Sequence, residues 1–277
     1  MSQNDTIADM LYMYAASAYT LKRAFGTDVA MITDSRFASI LSDLPMPYDY
    51  VSTELDDLRT DPRWWAAPKF YIFQKYADAF PWMLQIDTDV FFWEPMTIGE
   101  HVELLTQSIE HGKVFEDSYK APVKFFQQKL SGLGLTPKDY FPWRPDLLTA
   151  LNCGVVGFRD PQHARAYAAL ANRLCEVMTP YLDEFDEKIP RSKRLGSAMV
   201  IPEQYFLQCY ASALDLKTAY VSTKIQHGIP RDYDPDDYYH AMGDKQKRAV
   251  RSKFRDYVIQ SQPELHRAIS RSAYGGL

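Results

Sequence analysis

Apolar and polar positions alternate along this chain with a period that changes from segment to segment. Residues 4–25 keep a helical spacing behind Asn4-Asp5-Thr6, which can cap a helix, and Gly26 can end it. Residues 28–34 (DVAMITD) form a short apolar run stopped by a carboxylate, the pattern of a buried strand. Residues 37–44 predict a helix closed by Pro45 and Pro47, and YDYVSTEL a second strand with its exit. A helix over 69–80 leads to an apolar strand over 82–86, which runs into Asp87-Thr88-Asp89 and then VFFWEP. Across 100–128 a helix is expected first and mixed elements after it, and 131–145, rich in Gly and Pro, reads as a loop. Residues 152–158 (NCGVVGF) enter another strand, followed by an Ala-rich helix over 161–181 and a charged linker over 183–196. A helix over 203–214, a short strand over 218–222 and a basic helical segment over 245–272 complete the pattern. Strands alternating with helices predict an α/β domain with a mainly parallel sheet.

Composition narrows the functional classes. A chain of 277 residues with 46% apolar and 24% charged residues builds a sizeable core and is not disordered. Its formal net charge of −5 argues against a nucleic-acid binder. Cys153, Cys175 and Cys209 have neither a paired framework nor metal-ligand spacing, which suggests reduced thiols in a cytoplasmic protein. No secretion signal is legible, and no stretch approaches the roughly 20 apolar residues of a membrane helix. From Asp244 onward eight Lys or Arg stand against three Asp or Glu. Such a helix either touches an anionic membrane face peripherally or merely balances the acidic body.

The sharpest chemical signal is Asp87-Thr88-Asp89. Two carboxylates at i and i+2, at the mouth of an apolar strand, can reach one hard divalent cation, and Mg²⁺ or Mn²⁺ combines carboxylates with substrate phosphates. In open α/β sheets ligands gather beyond the carboxyl ends of strands, where this pair is expected. Taken alone, the pair could equally be a solvated turn. Downstream come Asn152-Cys153-Gly154, then Glu203-Gln204, then His240-Ala241-Met242-Gly243. Each piece is weak alone, and the set in this order is not.

In that order the chain resembles retaining GT-A glycosyltransferases, such as the glycogenin-like enzymes and bacterial lipopolysaccharide galactosyltransferases. It is more similar to a bacterial GT-A-like group that shares PYDYVSTELDDL, a Trp-Ala-x-x-Lys segment (Trp65 to Lys69), the DxD, the EQ and a late HxxG. The resemblance implies a metal-dependent transfer of a hexose from a nucleotide-sugar, UDP-linked, to a glycan or other acceptor. It implies Asp87 on ribose and metal, Asp89 as the main metal ligand and His240 as the third, with Mn²⁺ favoured over Mg²⁺ by the imidazole. Asn152 and the backbone at Gly154 correspond to the sugar-binding strand, and Glu203 and Gln204 to the acidic residue and glutamine near the anomeric carbon. Lys69 corresponds to a basic residue aimed at the donor. A lysine after HxxG meets the diphosphate in these enzymes; here Lys245 comes one residue early and Lys247 one late, and either could serve. Asp34 is either a strand-end turn residue or part of the nucleotide pocket.

The expected architecture is therefore one GT-A-like domain over 1–248, starting where such domains have their first helix rather than their first strand, and a helical tail over 249–277. Two other functions compete. A non-catalytic sugar-binding or scaffold protein would keep the fold without donor turnover. A HAD-type phosphohydrolase also carries DxD after an apolar strand, but that motif opens its domain, whereas here 86 residues precede it.

Overall fold

A computed structural model describes residues 3–80, 82–135, 142–189, 198–221, 238–241 and 247–272. The chain is a mixed α/β protein of helices and small mixed sheets, divided into two compact units. The first unit comprises Met1–Leu58, Asp87–Ile98 and Asp234–Leu277, and the second Arg59–Ile86 and Gly99–Tyr233.

In the first unit, helix α1 (Gln3–Phe25) carries Leu11, Tyr12, Ala15 and Ala16 on one buried face, at the i and i+4 spacing of an amphipathic helix. It stops at Gly26, whose φ of +60° suits a residue without a Cβ and whose N–H returns to the Lys22 carbonyl at 2.9 Å. Strand β1 (Ala30–Ile32) pairs in parallel with β2 (Tyr50–Ser52), and helix α2 (Ser35–Ser42) lies between them in sequence. Asp34 caps α2, its Oδ1 accepting the Phe37 N–H at 2.8 Å.

Residues 249–272, in the segment expected as a helical tail, are helical and supply part of this unit's core. Helices α9 (Arg248–Ser261) and α10 (Pro263–Arg271) bury Phe254, Val258, Leu265 and Ile269 in one cluster with Leu11, Met31, Leu41 and Phe91. The basic face expected there is partly spent on α1. Arg251 pairs with Asp9 at 3.0 Å, and the Arg255 guanidinium lies 5.7 Å from the centre of the Tyr12 ring.

The second unit is built on a four-stranded sheet in the order β3 (Met83–Ile86), β6 (Ala150–Phe158), β5 (Leu104–Glu110), β7 (Thr218–Tyr220). Strand β6 runs antiparallel to both neighbours, and β5 pairs in parallel with β7. The expected mainly parallel sheet is thus mixed. A single crossover helix returns a chain to start a parallel neighbour, but two helices, α4 (Gly112–Ser118) and α5 (Lys120–Gly132), separate β5 from β6. Since β6 opposes both, β3, β5 and β7 share one direction and end at the same edge of the sheet. Gly157 is required where β6 meets β3, because a Cβ there would lie 2.3 Å from Leu84 Cδ2 and 2.9 Å from the Met83 carbonyl oxygen.

Two other expectations fail in this unit. The helix expected first in 100–128 is strand β5, and part of the linker expected over 183–196 is helix α7 (Leu182–Lys188), which buries Leu182 and Phe185. Helices α3 (Ala67–Tyr76) and α6 (Pro161–Met178) pack together, with Phe70 edge-on to Tyr167 at 5.7 Å. Pro161 at the first turn of α6 and Asp160 as its cap, accepting from the Gln162 N–H at 2.8 Å, fix where that helix starts. Among the described residues no helix is long and apolar enough to cross a membrane.

Candidate metal centre and buried polar network

The first unit brings Asp87, Asp89 and His240 together. Asp87 opens a turn that closes with the Val90 N–H on the Asp87 carbonyl at 3.1 Å, so both carboxylates flank a tight reversal. Strand β4 (Val90–Phe92) leaves this turn and pairs antiparallel with β8 (Tyr238–His240), with Val90 opposite His240. The Ala241 N–H extends the ladder to the Asp89 carbonyl at 2.9 Å, which fixes the imidazole beside the second aspartate. Helix α1 satisfies further β4 backbone groups through buried hydroxyls. Ser17 Oγ donates to the Val90 carbonyl at 2.7 Å, and the Phe92 N–H donates to Thr20 Oγ1 at 3.2 Å. Phe91 stacks on Phe254 with ring centres 4.0 Å apart, locking the strand to the core.

One ligand atom from each of Asp87, Asp89 and His240 lies within 4.8 Å of the other two. His240 Nε2 stands 3.2 Å from Asp89 Oδ1 and 3.8 Å from Asp87 Oδ2. Asp89 and His240 are buried, while the Asp87 side chain is 27% exposed and keeps the cluster open to solvent. Two carboxylates and an imidazole suit Mn²⁺, Zn²⁺ or a similar divalent ion, and the open side leaves room for a ligand's oxygens.

The second unit brings together Lys69, Asn152, Gly154, Glu203 and Gln204, and two backbone irregularities do the positioning. Between the pairs Thr106–Val156 and Ser108–Asn152, two steps along β5 face four along β6, a bulge that spans Cys153, Gly154 and Val155. Bulges re-aim side chains and carbonyls next to functional sites. Here the Cys153 carbonyl accepts from Lys69 Nζ at 2.8 Å, and the Gly154 N–H turns back to Asn152 Oδ1 at 3.0 Å. The second irregularity is a π-helical turn, Ile201–Tyr205, preceding helix α8 (Phe206–Ala213), and it carries both Glu203 and Gln204. Single π turns inside helices also concentrate at functional sites. The Glu203 carbonyl accepts from the Tyr167 hydroxyl at 2.7 Å and from the Cys153 thiol at 3.3 Å.

Lys69 and Glu203 form an ion pair of 2.6 Å, with side chains 15% and 2% exposed. Sequence reasoning missed Glu110 and Tyr119. The Asn152 amide donates to Glu110 Oε1 at 2.7 Å, and the Tyr119 hydroxyl bonds both Glu110 Oε2 and Gln204 Oε1. Burial, then the adjacent Glu110 carboxylate, raises the Tyr119 pKa well above the ordinary tyrosine value, so the hydroxyl stays protonated. Glu110 ends β5 as Asp34 follows β1, but with β5 expected as a helix that position carried no signal in the sequence.

Lys247 is the exposed N-cap residue of α9, and Lys245 lies outside the described residues. A family model covers residues 8–272. The chain belongs to the DUF6734 family. That family is described as one of unknown function. No curated protein and no solved structure matches this DUF6734 chain.

Proposed function

We propose that this DUF6734 chain is a metal-dependent, GT-A-like glycosyltransferase that moves a hexose from a UDP-sugar to a glycan or other acceptor, with retention, in the cytoplasm. The observation that carries the proposal is the convergence of Asp87, Asp89 and His240 within 4.8 Å, the three residues that the GT-A resemblance singles out as metal ligands. Their donor set fits Mn²⁺, with Mg²⁺ as the harder alternative. When bound, such an ion supplies Lewis-acid stabilisation of a departing diphosphate. The shared direction of β3, β5 and β7 supports the GT-A-like assignment, because ligands of α/β sheets gather beyond carboxyl ends.

The remaining roles are those the resemblance implies, set beside the contacts that each described side chain makes. Asn152 has its carboxamide orientation fixed by the Gly154 N–H, which leaves its NH₂ on Glu110. Lys69 gives the buried Glu203 carboxylate its counter-charge. Glu203 and Gln204 act on the donor sugar. Lys245 or Lys247 meets the diphosphate, and Asp34 binds the nucleotide only through what its capping bond leaves over.

Thermal unfolding with Mn²⁺, with UDP and with both tests the proposal, together with a hydrolysis screen over UDP-hexoses. The midpoint should rise most with both present, since ligands selective for the folded state stabilise it, and one UDP-hexose should be hydrolysed. No thermal shift and no hydrolysis would overturn the proposal. Binding without turnover of any donor or acceptor would make the chain a sugar-binding protein instead.

A further inference from the structure

Counting hydrogens around Tyr119 gives a result that the contacts alone do not. Its hydroxyl has one hydrogen and two neighbours that each invite it, Glu110 Oε2 and the Gln204 carboxamide. Glu110 Oε1 already accepts from Asn152, whose amide cannot turn over because its oxygen holds the Gly154 N–H. As a carboxylate, Glu110 has only acceptors to offer, so the Tyr119 hydrogen goes to Oε2. The Tyr119 oxygen is then left to accept, and the neighbour able to donate to it is the NH₂ of Gln204.

We propose that Glu110 and Tyr119 are positioning residues that turn the Gln204 carboxamide over from the orientation with Oε1 on Tyr119, so that its NH₂ meets Tyr119 and its carbonyl is directed away, as an acceptor for a sugar hydroxyl. Gln204 is the partly exposed member of the group, whereas Glu110, Tyr119 and Asn152 are buried. The chain of bonds from the Gly154 N–H through Asn152, Glu110 and Tyr119 therefore ends on a side chain that a ligand can reach. It links the β6 bulge to the π turn of Gln204, so both irregularities serve one orientation. The identity of the ligand as a hexose rests on the proposed glycosyltransferase function; the orientation of Gln204 does not.

Tyr119→Phe keeps the ring, which stacks on Phe115 with centres 5.7 Å apart, and removes only the hydroxyl. Calorimetry in Mn²⁺ would compare UDP with UDP-glucose and UDP-galactose for wild type, Tyr119→Phe, Glu110→Gln, Gln204→Ala and the Tyr119→Phe/Gln204→Ala pair. Loss of one hydrogen bond should weaken binding of the accepted UDP-hexose by about tenfold in Tyr119→Phe, with UDP alone unchanged. In the Gln204→Ala background the same change should cost nothing further, because Tyr119 acts through Gln204. Glu110→Gln, which can donate to Tyr119 and so reverse the amide, should show the same UDP-hexose loss. Equal losses for UDP and UDP-hexose, or additive losses in the double variant, would overturn the proposal. Side-chain amide resonances of glutamine-labelled protein, free of ligand, separate it from the glycosyltransferase proposal. If no UDP-hexose binds, a Gln204 NH₂ protected from exchange in wild type and released in Tyr119→Phe still upholds the orientation, and an unchanged NH₂ overturns it.

Discussion

The two units bury polar groups by opposite means. In the first, Asp87, Asp89 and His240 are drawn within 4.8 Å by a turn and a three-residue ladder, which places two carboxylates against one imidazole. In the second, Glu203 has Lys69 at 2.6 Å, and Glu110 has a donor on each oxygen. The first arrangement turns three ligand atoms toward one another and suits a cation. The second gives one carboxylate an ammonium and the other only neutral donors, an arrangement of oriented acceptors and donors that suits a neutral, hydroxyl-bearing ligand. Like groups of residues thus prepare for different ligands according to how the fold arranges them.

The sharpest break would come from activity. Asp89→Ala should lower Mn²⁺-dependent donor hydrolysis by about a thousandfold, since metal stabilisation of a leaving group is worth several kcal/mol. Wild-type hydrolysis by that variant would remove the metal centre from the chemistry. In urea unfolding the ranking should reverse. Lys69→Ala leaves Glu203 buried without this cation and should cost about 3–5 kcal/mol, while metal-free Asp89→Ala loses the His240 contact at 3.2 Å but relieves repulsion with Asp87, and should cost about 1–2 kcal/mol. Equal costs would erase the contrast between the units.

Metal titration sharpens the first unit further. Removing a group that only orients a metal ligand typically costs about 10–100-fold in affinity, so His240→Ala should raise the Mn²⁺ concentration for half-saturation at least that far. An unchanged titration would demote His240 to a strand residue. Gly157→Ala should destabilise the second unit by about 1–3 kcal/mol through its clash with β3, read as a lower urea midpoint. The smallest effect concerns the thiols. Burial raises Cys175 and pushes Cys209 up to about 12, and Cys153 is buried as well. A thiol reagent at pH 8 should therefore label none of the three in the native protein and all three in guanidinium.

Asp87 and Asp89 were legible because their signal is local, ending an apolar run within three residues, whereas His240 was reached only through the order of motifs shared with GT-A enzymes. Strand β5 was not legible, since it is buried on both faces and carries Thr106, Gln107 and Ser108 in its middle. Such a strand has no two-residue alternation, and its polar centre imitates a helix. The linker over 183–196 misled for a related reason, because Asp183, Glu184, Asp186 and Glu187 outweigh the single buried turn made by Leu182 and Phe185. Lys69 looked like any helix lysine until Glu203, 134 positions away, was brought to it. Asp34 had two readings, and the bond seen for it is the cap of α2. Glu110 and Tyr119 escaped because a buried hydrogen-bond chain has no sequence period.

The first unit is assembled from Met1–Leu58, Asp87–Ile98 and Asp234–Leu277, and this interleaving sets a schedule for synthesis. On the ribosome the second unit, whose last residue is Tyr233, has its full sequence before the first does. Asp87 and Asp89 are made early, but β8 and the helices that seat Phe91 arrive last, so a nascent chain carries the DxD for most of its synthesis with no His240 to close the cluster. A ribosome stalled before residue 234 would therefore release a chain unable to bring His240 to Asp87 and Asp89, so the cluster exists only once translation has run past β8.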